Sequence, residues 1–193
     1  MEQILILSGS DGAASALAGF LRESFRCKTR ILSSAYQART ALETDQQTEL
    51  VIINAPLIDE NGVDVAKFVT KETTANCILL LKPELAEQLS DLPERHQIIV
   101  LSKPLNKPML YQLIRTIEIA MQRMQRIIEE NQRLEQKVKD IRTVDRAKFL
   151  LMQYEGMTEA ESHSYLEKYA MDKRKRKVHA ALEIIDRINE QYL

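Results

Sequence analysis

The chain has 193 residues, 28% of them charged and 45% apolar, and its formal net charge is −1. That is room for about a domain and a half with modest cores, and a near-neutral whole draws in no polyanion by its global field, so any nucleic-acid contact must come from a local patch. No stretch approaches the ~20 apolar residues that a membrane helix needs, and the opening MEQILILSGS lacks the basic start and long apolar core of a secretory signal. A cytoplasmic protein with no membrane association is expected, with Cys27 and Cys77 as buried thiols rather than a disulfide.

In chain order, Ile4-Leu5-Ile6-Leu7 reads as a buried strand and is followed by Ser8-Gly9-Ser10-Asp11-Gly12. A helix is predicted from about Ala13 to Phe25, with Leu17, Phe20 and Leu21 on one face. Thr29–Leu32 is a short strand and Ala35–Glu43 a helix. Leu50-Val51-Ile52-Ile53 is a continuous apolar strand ending at Asn54. A helix near Val63–Lys71 precedes strands at Cys77–Leu81 and Ile98–Leu101. Strands apolar on both faces that alternate with helices predict an α/β domain with a parallel, flavodoxin-like sheet.

The span Leu50 to Gly62, together with Lys103-Pro104, resembles response-regulator receiver domains. Such domains carry a phosphoacceptor Asp at the end of the third strand, a Gly eight residues on and a Lys-Pro after the fifth strand. Here those positions are Asn54, Gly62 and Lys103. The two acidic residues that hold Mg²⁺ after the first strand are replaced by Ser8 and Gly9. An amide is no nucleophile for an aspartyl phosphate, and Mg²⁺ wants hard carboxylate oxygens. Residues 1–108 are therefore expected to form a pseudo-receiver with no phosphorylation switch and no metal. Asp11 and Asp59 fit helix-cap and turn roles. Lys103 is expected as a residual surface cation or an ion-pair partner.

Pro108 suits a first helical turn, and neither Pro nor Gly recurs before Gly156. A helix of ~48 residues and ~70 Å follows, longer than a globular helix sustains without a partner. Leu110, Leu113, Ile117, Ala120, Met124, Ile127, Asn131, Leu134, Val138 and Ile141 alternate by three and four, and all but Asn131 are apolar. This heptad predicts a coiled-coil homodimer over 109–143, with dimer contacts from Ile117, Met124, Ile127, Asn131, Leu134, Val138 and Ile141. Asn131, at an a position, is suited to fixing a parallel two-stranded register. An amphipathic helix packed on its own receiver is the alternative.

Residues 144–193 read as a three-helix bundle. Ala147, Leu150, Leu151 and Tyr154 end the first helix before Gly156, a left-handed C-cap. Thr158 with Glu161 is a capping box opening a helix with Tyr165, Leu166, Tyr169 and Ala170 on its stripe. After a turn at Met171-Asp172, a third helix presents Val178, Ala181, Leu182, Ile185 and Ile188. Between them lies Lys173-Arg174-Lys175-Arg176-Lys177, either a solvated helix start or a phosphate-binding face.

This segment resembles the ANTAR domain, the RNA-binding module of transcription antiterminators. The resemblance rests on Ala147-Lys148, Leu151-Met152, Gly156 with its capped helix, Leu166, Ala170-Met171 and Ala180-Ala181. Phe149 and Ser162 depart from it, standing where the family often has Gly and Ala. The resemblance implies a homodimer that binds paired hairpins in a leader mRNA and prevents the terminator from forming. It implies phosphate contacts from Lys148, Lys168, Lys173, Arg174, Lys175, Arg176 and Lys177, and base contacts from Arg146 and Tyr165. A regulatory protein partner is a further expectation. A DNA-binding response regulator of a two-component system and a receiver-type interaction scaffold are the competing readings. No enzyme and no cofactor are expected: His96, His163 and His179 lack metal-ligand spacing, and no phosphate-binding glycine loop is present.

Overall fold

The computed structural model describes residues 1–45 and 47–192; Leu193, the predicted end of the last domain, lies outside them. Short runs of Val, Ile and Leu that are apolar on both faces are stable only inside a sheet covered on both sides. They form β1 (Gln3–Ser8), β2 (Lys28–Leu32), β3 (Leu50–Asn54), β4 (Asn76–Leu81) and β5 (Ile98–Ser102), all parallel, in the order β2-β1-β3-β4-β5. The three central strands are almost wholly buried, whereas the edge strand β2 alternates with Lys28 and Arg30 outward. The predicted α/β receiver-like fold is the observed one.

Helices α1 (Asp11–Phe25), α2 (Ala35–Thr44) and α3 (Val63–Glu72) cross between strands, each longer or shorter than predicted by a turn at most. Ser10 caps α1, and Asp11 sits in its first turn. Asp59 accepts hydrogen bonds from the Ala35 and Tyr36 backbone N–H groups at 2.9 and 3.1 Å. Those bonds, the Ala35 one foremost, hold its carboxyl below the usual range. Gly62 stands before α3 with φ 88°, and a Cβ there would meet Ile53 Cγ2 at 3.0 Å, so the position favours glycine on two counts. Between β4 and β5 the chain forms two short helices, α4 (Pro83–Gln88) and α5 (Leu92–His96).

Helix α6 runs without interruption from Lys107 to Glu155, 49 residues. Packing divides the chain into two compact units, the first ending at Ile119 and the second beginning at Ala120. In the first unit Leu110, Ile114 and Ile117 are buried. There Tyr111 packs 5.2 Å from Phe25, and Arg115 lies over both rings. Ile117, expected in the dimer seam, is thus consumed by the chain's own receiver-fold unit. The rest of the seam (Met124, Ile127, Leu134, Val138 and Ile141) is exposed, from 47% at Val138 to 61% at Ile141, and Asn131 is exposed with it.

In the second unit the end of α6 packs with α7 (Glu159–Asp172) and α8 (Lys177–Tyr192) around Ala147, Leu150, Leu151, Leu166, Ala170, Ala180, Ala181, Ile184, Ile185 and Ile188. Gly156 takes φ 70° and the capping box of Thr158 and Glu161 is formed. Leu182, predicted on the apolar face of α8, is 46% exposed, and Ile184 is buried instead. Ser162 is fully buried, its hydroxyl donating to the Glu159 carbonyl, so a hydroxyl is accommodated where a smaller side chain was expected. Replacing Leu166, 1% exposed, by Ala should destabilise this bundle by ~2–5 kcal/mol. Urea unfolding read by far-UV circular dichroism would show an earlier transition for the second unit.

Candidate functional site

In an open parallel sheet the ligand crevice lies at the carboxyl ends of the strands where strand order reverses. Here that point falls between β1 and β3, whose last residues Ser8 and Asn54 are register partners. The crevice is filled by uncharged hydrogen bonds. Asn54 Nδ2 donates to Ser8 Oγ at 2.9 Å, Ser8 Oγ donates to the Ser10 carbonyl, and the Ser10 N–H donates back to Ser8 Oγ. Ser8 is 1% exposed. Lys103 is no free surface cation, and it has no ion-pair partner among the described residues: half-buried, it donates through Nζ to the Ala55 carbonyl. Burial, helped by the charge of Lys82, pulls its ammonium below the ordinary value. A Cβ on Gly9 would meet the Pro56 carbonyl oxygen at 2.9 Å, so the backbone has closed over the position where an acidic side chain would stand.

Both thiols are buried and unpaired in disulfide terms. Burial raises Cys27 and pushes Cys77 up to about 12.

The second candidate site is the surface of the C-terminal bundle, where the predicted cations fall into two sets. Three are held. Lys148 lies between Asp145 at 3.0 Å and Glu159 at 3.8 Å, Lys175 is paired with Glu183, and Lys177 with Glu167. The Lys177 bond pulls the Glu167 carboxyl down, and the Lys175 bond does the same to Glu183. The others have no carboxylate partner among the described residues. Arg146 and Lys168 are exposed on α6 and α7, Arg174 stands in the turn with φ 52°, Arg176 meets only His179 at 3.3 Å, and Lys173 lies over the Tyr169 ring at 6.0 Å.

Tyr165 is not an open stacking platform. Its ring stacks on Tyr169 with centroids 6.2 Å apart, Arg187 covers it at 5.8 Å, and its hydroxyl accepts from Arg187 at 3.0 Å. Arg187 is held in turn by Glu155. Sequence reasoning missed Glu155, Glu167, Glu183 and Arg187. The cations they hold, or in the case of Arg187 the carboxylate that holds it, lie eight to thirty-two residues away and meet only once the helices pack; the local His163–Glu167 pair does not announce them.

Residues 132–185 match the family model of the ANTAR domain. Residues 132–185 therefore form an ANTAR domain, which follows a domain of receiver fold in the sequence. Among curated proteins the chain is similar to the transcriptional regulatory protein PdtaR of Mycobacterium tuberculosis, in strains CDC 1551 and H37Rv. Each is 29% identical over 164 residues, covering 82% of this chain and 77% of the relative. Among solved structures, a two-component response regulator from Clostridium difficile is 21% identical with TM-score 0.56, covering 63% of this chain and 98% of that one. A response regulator receiver domain protein from Clostridium thermocellum is 16% identical with TM-score 0.58, covering 64% and 99%. An uncharacterised protein from Neptuniibacter caesariensis is 17% identical with TM-score 0.57, covering 64% and 92%. These solved structures bear on the fold. No described helix is long and apolar enough to cross a membrane.

Incubated with acetyl phosphate and Mg²⁺, both the wild-type chain and Asn54→Asp should remain unlabelled in intact-mass spectra, because Ser8 and Gly9 offer no carboxylate to the metal. A phosphorylated wild-type chain would overturn the description of this crevice.

Proposed function

We propose that this chain is an RNA-binding transcription antitermination regulator that acts as a homodimer on hairpins in a nascent leader mRNA and keeps the terminator from forming. The observation that carries the reading is the ANTAR-matched bundle with its unpaired cations gathered at the turn between α7 and α8. Residues 1–108 serve as the pseudo-receiver, 109–143 as the dimerisation helix and 144–193 as the RNA-binding domain. Phosphate contacts come first from Lys173, Arg174 and Arg176, with Arg146 and Lys168 beside them. Lys148, Lys175 and Lys177 contribute only by exchanging a carboxylate for a phosphate. Exposed ion pairs are worth ~1 kcal/mol or less, so that exchange is not prohibitive. Since the receiver-fold crevice has no phosphoacceptor, input is proposed to come from a protein partner docking on that domain rather than from phosphate.

The test is binding of the full chain to a leader RNA bearing two tandem hairpins that overlap a terminator, with duplex DNA as competitor. Lys173→Ala, Arg174→Ala and Arg176→Ala combined should weaken binding and flatten the slope of log affinity against log salt by ~2–3. Unchanged affinity would exclude the turn as the RNA face, and preference for duplex DNA would exclude the function.

The dimer seam is tested separately. Leu134→Glu places like charges opposite each other in an apolar seam; it should give a monomer by analytical ultracentrifugation and lower affinity for the two-hairpin RNA by ~10²-fold, as the second module is no longer tethered. A wild-type chain that sediments as a monomer at all concentrations removes the homodimer from the proposal.

A further inference from the structure

The turn between α7 and α8 encloses a depression of about 590 Å³ lined by Glu167, Ala170, Met171, Arg174, Arg176 and Lys177, among others. Three of its features point to different parts of one ligand. Arg174 and Arg176 have no carboxylate partner among the described residues, and a guanidinium presents a planar fork that matches a phosphate. Met171 is 77% exposed, a large polarisable apolar side chain left in water beside cations, where the flat face of a base would cover it. Glu167 is the one carboxylate of the lining, and it is used on one side only. Oε1 takes both Lys177 and His163, the latter at 3.2 Å, whereas Oε2 has no partner among the described residues.

A carboxylate oxygen accepts and never donates. Inside a cationic depression it repels a second anion and favours an N–H. The occupant must therefore combine an anionic backbone, an apolar flat face and a hydrogen-bond donor on its edge. Cytosine, adenine and guanine carry an exocyclic amino group that offers N–H donors at the base edge; uracil has only N3–H, flanked on both sides by carbonyl oxygens that repel Glu167. We propose that this depression takes one unpaired nucleotide of the RNA, with Glu167 Oε2 selecting bases that carry an exocyclic amino group against uracil. Lys177 and His163 hold the carboxylate in place, Arg174 and Arg176 take the flanking phosphates, and Met171 meets the base. The inference rests on the RNA-binding reading above and adds a determinant of sequence preference to it.

The test uses the full chain and fluorescence anisotropy with labelled oligocytidylate and oligouridylate octamers, both unpaired, with poly-L-glutamate as an anionic competitor. Wild-type protein should prefer oligocytidylate by about tenfold, the low end of what one well-made base contact provides. Glu167→Gln offers an amide that both donates and accepts, so the preference should fall to about unity. Glu190→Gln, the same charge change on an exposed residue outside the depression, should keep it. Met171→Ala should weaken both octamers alike. Equal binding of the two octamers by wild type, or a preference that survives Glu167→Gln, overturns the proposal. So does poly-glutamate competing as well as oligocytidylate. If the tandem-hairpin RNA binds while neither octamer does, the nucleotide site falls and the RNA reading stands; if the hairpin RNA also fails to bind, both fall.

Discussion

A 49-residue helix does not persist in water on its own propensity; it persists where its apolar side chains are covered. Helix α6 is covered near its start, where Leu110, Ile114 and Ile117 are buried in the receiver-fold unit, and near its end, where Ala147, Leu150 and Leu151 belong to the core of the bundle. Between these two stretches Met124, Ile127, Leu134, Val138 and Ile141 form an apolar stripe that stays about half exposed within one chain. The proposed second copy answers that constraint, since a helix of the same length, period and central Asn131 is the partner the stripe fits.

The receiver-fold unit fills the crevice at the switch point of its sheet with uncharged groups. The sheet order still places a crevice between β1 and β3, and the groups lining it still satisfy one another. A cluster of carboxylates needs a cation to be stable, whereas Ser8, Ser10 and Asn54 close on themselves, and Lys103 finds a backbone carbonyl. Charge then reappears at the other end of the chain, where α7 and α8 meet and cations outnumber the carboxylates that restrain them.

The parallel sheet, the length of α6 and the capped α7 were legible because each rests on a local pattern: doubly apolar runs, the absence of Pro and Gly, and Thr158 with Glu161. The α4–α5 pair was not, since helices of six and five residues, each with a proline in its first turn, are too short to show a period. The face of α8 was misread in part because Val178, Ala180, Ala181, Leu182, Ile184 and Ile185 admit two apolar stripes about 100° apart; only packing against α7 chooses Ile184 over Leu182. The basic turn was legible as composition. Its division into held and free cations was not, because Glu167, Glu183 and Glu155 reach Lys177, Lys175 and Arg187 through tertiary contact.

The close approach of Gly9 to the Pro56 carbonyl sets a condition on any redesign of this crevice. With backbone lying 2.9 Å from where a Cβ would stand, a single substitution does not build a metal site here. An acidic residue at position 9 must push the Pro56 segment aside, and it gains nothing unless position 54 is also a carboxylate and a metal is there to be held. Acidic side chains at positions 9 and 54 would have to arrive together with a shift of the Pro56 backbone; alone, the first is strained and the second faces the uncharged hydroxyl of Ser8.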